Sequence, residues 1–272
     1  MEEGIIVSTH QMKTVSNNNW RLLFTPDVDP YMNMAIDEAL TRKCIDSEDR
    51  PAAIRFYTWK EISCSIGYFQ KIENVFKAPN GKKIPVVRRP TGGGIVYHGN
   101  DITFSIVKRR IQSNRQEGIT SFYKLVGESL LRGLERLGFT CTFYLPEEES
   151  HRSAQERKPL NNRLSQQSSC SVTPAKYDIM INGSKVAGYA ARKSQGAILC
   201  QGYLDVHKRW KEQYNMDSRE KGIQLLFDNL AGSFKNVFGI TLTSSQLTEE
   251  EMESALKLRD KKYACDEWNY RK

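Results

Sequence analysis

The chain is predicted to adopt an α/β fold, a mixed sheet with helices packed against it. Three observations predict it. Short apolar runs, alternating or continuous, recur at 20–24, 53–59, 102–107 and 197–206, as strands require. Between them apolar residues fall at helical spacing: Met32, Ile36 and Leu40, then Phe122, Val126, Leu130 and Leu134, then Ile223, Leu226, Leu230 and Phe234. Finally, Asn182-Gly183 sits between two alternating segments, a strong signal for a hairpin with a type I′ turn.

In chain order, residues 1–19 are polar and read as a loose lead-in. A strand at 20–24 and a turn at 27–30 precede a helix that opens at Asn33. Asp37 and Glu38 near its start suit the helix dipole, and adjacent carboxylates on a helix cannot both face one site, so a solvated face is expected. A strand at 53–59, a strand and turn at 62–70, and strands at 83–87 and 101–107 follow. Residues 119–137 form the clearest helix, ended by Gly138, and a strand covers 140–145. Residues 146–169 are almost devoid of apolar side chains and read as a long mobile loop. The hairpin at 177–189 and the strand at 197–206 complete a main domain of residues 20–210. Residues 211–272 read as a helical tail packed on it, with a Thr248/Glu251 capping box and a Leu247/Met252 staple.

Composition narrows the function. Hydrophobic content of 39% over 272 residues supports a real core. The net charge is +8, but the basic residues are scattered and not interleaved with aromatics, which argues against nucleic acid and for an acidic protein partner or anionic carrier. The six cysteines, Cys44, Cys64, Cys141, Cys170, Cys200 and Cys265, form no Cys-x-x-Cys pair, so no zinc site is expected. No leader and no membrane-length apolar run is seen, so the expected setting is cytoplasmic and reducing.

The sequence is organised around Arg88-Arg89-Pro90-Thr91-Gly92-Gly93-Gly94, which leads to His98 and lies between strands. Glycine allows positive φ and close approach of a ligand to the backbone. With two arginines beside them, the glycines describe a surface for an extended or anionic ligand; the plainer reading is a glycine bulge on a hairpin. No Lys-Ser/Thr follows, which excludes a nucleotide-hydrolase phosphate loop, and no helix follows, which excludes a dinucleotide fingerprint. His98 either bonds the ligand or fixes the loop. Cys170 ends the polar loop, where a thiol near Arg88, Arg89 and Lys185 could become a nucleophilic thiolate. By position alone Cys170 is one loop cysteine of six, and Lys185 an exposed lysine beside a turn.

These segments together resemble the biotin/lipoate protein ligase superfamily. The matching segments are Asn33-Met34-Ala35-Ile36-Asp37-Glu38-Ala39, Arg55-Phe56-Tyr57-Thr58-Trp59, Ser65-Ile66-Gly67-Tyr68-Phe69-Gln70, the Arg-Arg-Pro-Thr-Gly-Gly stretch, and Gly183 to Gly188 in a Gly-x-Lys-x-Ala-Gly pattern. The resemblance covers about 20–206 and implies a class II synthetase/biotin ligase-like fold. Cys170, Pro174, Tyr177 and Asp178 have the spacing around the nucleophile of octanoyl-carrier-protein:protein octanoyltransferases, so the resemblance assigns Cys170 and Lys185 as catalytic. It assigns Arg88, Arg89, Thr91, Gly92, Gly93, Gly94, His98 and Gly188 to substrate binding. It implies transfer of an octanoyl or lipoyl group to a lysine of a lipoyl domain, in 2-oxoacid dehydrogenases or the glycine cleavage H protein. Acyl carrier protein would be the donor, with no cofactor, metal, nucleic acid or membrane involved. Gly94 departs from the transferase pattern toward the lipoate-protein ligases, which keeps open an ATP- and Mg-dependent route through lipoyl-adenylate. Gln201 stands where relatives often carry histidine. A third reading is a non-catalytic binder of lipoylated domains.

Overall fold

The computed structural model describes residues 18–47, 49–74, 83–110, 119–145, 174–194, 196–205 and 219–271. Strand β1 (Asn19–Val28) leads through Asp29 into helix α1 (Pro30–Asp46). The Asp29 side chain accepts from the Tyr31 and Met32 amides, and Pro30 takes the first helical position, where its missing N–H costs nothing. The helix therefore starts three residues before the Asn33 read from the sequence, and Asp37 and Glu38 lie mid-helix.

The crossover through α1 sets β2 (Ala53–Trp59) parallel to β1. Strands β6 (Ile102–Arg109), β10 (Ala197–Leu204), β9 (Ser184–Lys193), β8 (Ile179–Ile181) and β7 (Thr142–Phe143) continue the sheet antiparallel. A smaller sheet has β3 (Ser63–Ile66) in the centre, β4 (Val86–Arg88) parallel to it and β5 (Val96–His98) antiparallel. The expected α/β fold with a mixed sheet is therefore found. At the 182–183 turn both residues have positive φ, 49° and 72°, as a type I′ turn requires.

Alternation in the central strands separates two environments. Ile54 and Phe56 of β2, Ile102, Phe104 and Ile106 of β6, and Ile198, Cys200 and Leu204 of β10 share one core with Phe122, Val126, Leu130 and Leu134 of α2 (Ile119–Glu135) and with Leu226, Leu230 and Phe234 of α3 (Arg219–Phe238). The alternate residues, Arg55, Tyr57, Thr103, Ser105 and Gln201, are also buried, on the side where α1 packs. Alternation at 102–107 would suit a strand with one face in water; the polar face is instead covered and carries a hydrogen-bond network.

The tail departs from the all-helical reading of 211–272. Thr241–Ser244 form a strand, β11, that pairs in parallel with β1 and widens the main sheet to eight strands. It is short and mostly exposed, as suits an edge. Helix α4 (Glu249–Leu258) packs on α1 and opens on the expected Thr248/Glu251 capping box. Glu251 reaches further, to Arg21 of β1 at 2.6 Å. Met252, expected to staple Leu247, is exposed. A π-helical turn (Arg259–Tyr263) and helix α5 (Asp266–Asn269) bring the chain back to β4. Among the described residues no helix is long and apolar enough to cross a membrane.

Candidate active site

Strands β4 and β5 flank β3 rather than each other, so the glycine stretch does not close a hairpin. It crosses the end of β3, where Gly67 packs under it. A Cβ at Gly67 would lie 1.9 Å from the Gly93 carbonyl oxygen, so only glycine fits. Gly93 itself has φ of 92°, a second position where a side chain is disfavoured.

The two arginines have different tasks. Arg89 lies along the underside of the loop, with Nη1 donating to the Ser65 carbonyl and hydroxyl and Nη2 to the Gly92 and Gly94 carbonyls at 3.1 and 2.7 Å. Arg88 turns away. Its guanidinium donates to the carbonyls of Gly67, Tyr68, Gln70, Trp268, Asn269 and Arg271, and it is 1% exposed. The fork of fixed donors that suits arginine to anions is here filled by backbone oxygens. Arg88 therefore ties the C-terminal turn to the glycine loop and, against the expectation of substrate binding, does not line the cleft. The Asn269 side chain completes the tie by accepting from the Arg88 amide at 2.8 Å.

Thr91 is likewise committed inward. Its hydroxyl donates to Gln201 Oε1 at 2.7 Å, and Gln201 Nε2 donates to Asp37 at 2.7 Å. Asp37 is fully buried, pairs with Arg55 at 2.8 Å, and accepts from Ser105 and Tyr57. Arg55 spends its remaining donors on Thr25 and Asn33. This network corrects the solvated-face reading of Asp37; Glu38 is engaged too, by Arg42 and Lys262. Arg55 between Ile54 and Phe56 was the available signal, because a charge inside a buried strand needs a partner.

His98 is resolved in favour of fixing the loop. Its Nδ1 bonds Asp101 at 2.7 Å, its Nε2 bonds Ser65 at 2.6 Å, and its ring stacks on Trp59 at 3.8 Å. Burial works to raise the Asp101 carboxyl, but His98, the Gly99 amide and Thr103 hold it below the usual range.

Above these residues lies a small cleft, mostly apolar in lining. Met34, Tyr57, Trp59, Val96 and Tyr203 supply the apolar wall, and Arg89, Gly92, Gly93 and the His98 ring supply the loop side. Gly94 does not line it. Lys185 and Gly188 enter from β9. Lys185 Nζ is 2.7 Å from Asp178 Oδ2, with the two side chains 4% and 5% exposed, so the lysine is buried and paired rather than solvated beside a turn. Burial raises the Asp178 carboxyl from its ordinary value, against the opposing pull of the Ala175 amide and Lys185. A Cβ at Gly188 would lie 2.7 Å from Lys185 Cε and 2.8 Å from Nζ, so Gly188 makes room for the amine. Spacing alone gives Asp178 no role; the structure makes it the partner of Lys185.

Cys170 lies outside the described residues. Ala175, five residues on, lines the cleft, and Tyr177 and Asp178 are tied to Tyr144 by backbone hydrogen bonds. None of the five described cysteines lines the cleft. Burial pushes the Cys64 and Cys141 thiols up to about 12 and raises those of Cys44 and Cys200.

An apolar cleft with a buried amine at its wall and a glycine loop over it suits an acyl chain ending in a reactive carbonyl. Comparison with known proteins agrees. Residues 29–249 match the lipoyl protein ligase A/B catalytic domain. Octanoyltransferase LipM of Bacillus subtilis (strain 168) is 30% identical over 287 residues, covering 95% of this chain and 100% of that protein. The protein of the same name from Brevibacillus brevis is 32% identical, covering 93% and 99%. Among solved structures, protein Ta0514 of T. acidophilum with bound lipoic acid is 27% identical, with a TM-score of 0.70 over 93% of this chain and 98% of that one. A lipoate-protein ligase A bound with ATP is 28% identical, with a TM-score of 0.69 over the same shares. The match spans most of the sequence, and this chain belongs to the lipoyl protein ligase A/B catalytic domain family.

Proposed function

We propose that the protein is a lipoylation enzyme that moves an octanoyl group from a carrier thioester to a lysine of a lipoyl domain, by way of an acyl-enzyme on Cys170. The observation that carries this reading is the buried Lys185–Asp178 pair in the wall of an apolar cleft, reached by the chain that follows Cys170. The name octanoyltransferase on the relatives supports it. Cys170 stands four positions before Pro174, a reach of at most about 14 Å.

The Cys170 thiolate attacks the thioester carbonyl, forming a new C–S bond, and the carrier sulfur leaves and takes a proton. The amine of the acceptor lysine then attacks the acyl-enzyme, a C–N bond forms, and the Cys170 sulfur departs and is reprotonated. In both steps negative charge develops on the carbonyl oxygen, where the Lys185 ammonium stabilises it; a preorganised donor of this kind contributes about 3 kcal/mol. The thioester holds the energy of the bond, so the scheme needs no nucleotide or metal. The acceptor class is the lipoyl domain of 2-oxoacid dehydrogenases or the glycine cleavage H protein, and the donor is acyl carrier protein. A lipoyl-domain partner accompanies one structural relative, the bi-partite lipoate protein ligase of Thermoplasma acidophilum described with its E2 lipoyl domain.

The relative bound with ATP favours a second reading, an ATP- and Mg-dependent ligase that forms lipoyl-adenylate. Intact-mass measurement after mixing with octanoyl-carrier protein, without ATP, separates the two. A gain of one octanoyl group, lost in Cys170→Ser, is expected. Pyrophosphate release from ATP and lipoate, unchanged in Cys170→Ser, would establish the ligase instead.

A further inference from the structure

The glycine loop continues outward into a group of side chains that the acyl site does not use. Gly67 packs under Gly93, and the next residue, Tyr68, donates its amide to the Thr91 carbonyl at 2.8 Å. The Tyr68 ring projects from there and carries two guanidinium groups. Arg271 lies 3.7 Å and Arg192 4.6 Å from its centroid. Arg192 is anchored to the loop by donating to the Pro90 carbonyl, and Arg271 by donating to the Tyr68 carbonyl. Among the described residues neither arginine forms an ion pair with a carboxylate. Next to them Phe69 is 86% exposed, with its ring 4.9 Å from that of Tyr68.

Two cations without counter-charge among the described residues, fixed by backbone oxygens and an aromatic ring beside an exposed phenyl group, form a ready anion-binding and apolar contact. Arginine and aromatic residues are the types enriched in interface anchors. The site is continuous with the cleft through Pro90 to Gly93. The two guanidinium groups suit a partner with an acidic surface, in line with the anionic carrier that the net charge of +8 favours.

We propose that Phe69 and the Arg192–Tyr68–Arg271 stack are the docking surface for the acidic carrier protein that delivers the acyl thioester, an inference that rests on the acyl-transfer reading above. Rim charges act mainly on association rate and its salt dependence, and an exposed aromatic anchor on affinity.

The test compares the full-length protein with Phe69→Asp and Arg192→Gln, two changes at side chains that do not line the cleft. Turnover is measured with octanoyl-carrier protein and with octanoyl-N-acetylcysteamine, a small thioester with no protein surface. For the carrier, KM should rise roughly tenfold in Phe69→Asp, the loss of one interface anchor. In Arg192→Gln its dependence on salt should flatten. Turnover of the small thioester and KM for the lipoyl domain should stay within about twofold of wild type. An unchanged KM for the carrier overturns the proposal, as does an equal loss with the small thioester or a rise confined to the lipoyl domain. Wild type inert toward both thioesters marks failure of the acyl-transfer reading instead. Carrier binding, followed by fluorescence titration, then judges the surface separately.

Discussion

Gly188→Ala separates the geometry of the site from the stability of the fold. The added Cβ would lie 2.7 Å from Lys185 Cε, 2.8 Å from Nζ and 3.1 Å from Asp178 Oδ1. Ordinary contact between such atoms is about 3.5 Å or more, so the amine must retreat by about 0.7 Å. The atoms in the way are the far ends of the Lys185 and Asp178 side chains rather than backbone, so the strain relaxes at little cost to folding. Gly188 is not among the positive-φ glycines, and alanine at a compatible position gains about 0.4–1 kcal/mol through the unfolded chain. The melting temperature should therefore hold within a few degrees. Catalysis should not: a shift on the order of 1 Å in a positioned group can cost about 100-fold. The assay is octanoyl transfer from a thioester to a lipoyl domain, paired with thermal unfolding. Full activity would refute the role given to Lys185. Loss of activity in step with loss of the fold would refute the division between site and scaffold.

Three further outcomes are expected. Gly67→Ala places a Cβ against backbone, 1.9 Å from the Gly93 oxygen, so the glycine loop must move; stability should fall by about 1–3 kcal/mol and acylation by octanoyl-carrier protein should be lost, checked by denaturant titration and intact mass. Asp37→Asn leaves the Arg55 cation buried without a counter-charge, costing about 3–5 kcal/mol and so lowering the melting temperature by roughly 10 °C; a drop below about 2 °C would mean the network is not a structural tie. Burial works to raise the Glu251 carboxyl, but Arg21, the Thr248 amide and Arg50 hold it below its ordinary 4.5. The stability from this depressed group is present above pH 4.5 and is lost as pH falls through the folded value. Melting temperature measured against pH should show a shallower acid limb in Glu251→Gln than in wild type.

The sequence by itself determined most of the elements, though not the edge strand at Thr241–Ser244, and the neighbourhood of the chemistry. Strand and helix periods are local properties, so the α/β class, the helix ending at Gly138 and the turn at Asn182-Gly183 were legible without partners. The glycine stretch was legible too, because positive φ and close backbone approach, as at Gly93 over Gly67, favour glycine. Only the tertiary structure decided direction and pairing. Whether Arg88 or Arg89 faces the cleft depends on what packs against each. Arg88 is claimed by carbonyls of a turn some 180 positions away, Arg89 by the loop itself. Thr91, Gln201, Asp37 and Arg55 carry no mutual signal in linear order, yet they form one network, because strands distant along the chain become neighbours in the sheet. Lys185 gained its counter-charge in the same way. Hydrogen bonds and ion pairs act over a few ångströms, and folding alone determines which residues come that close.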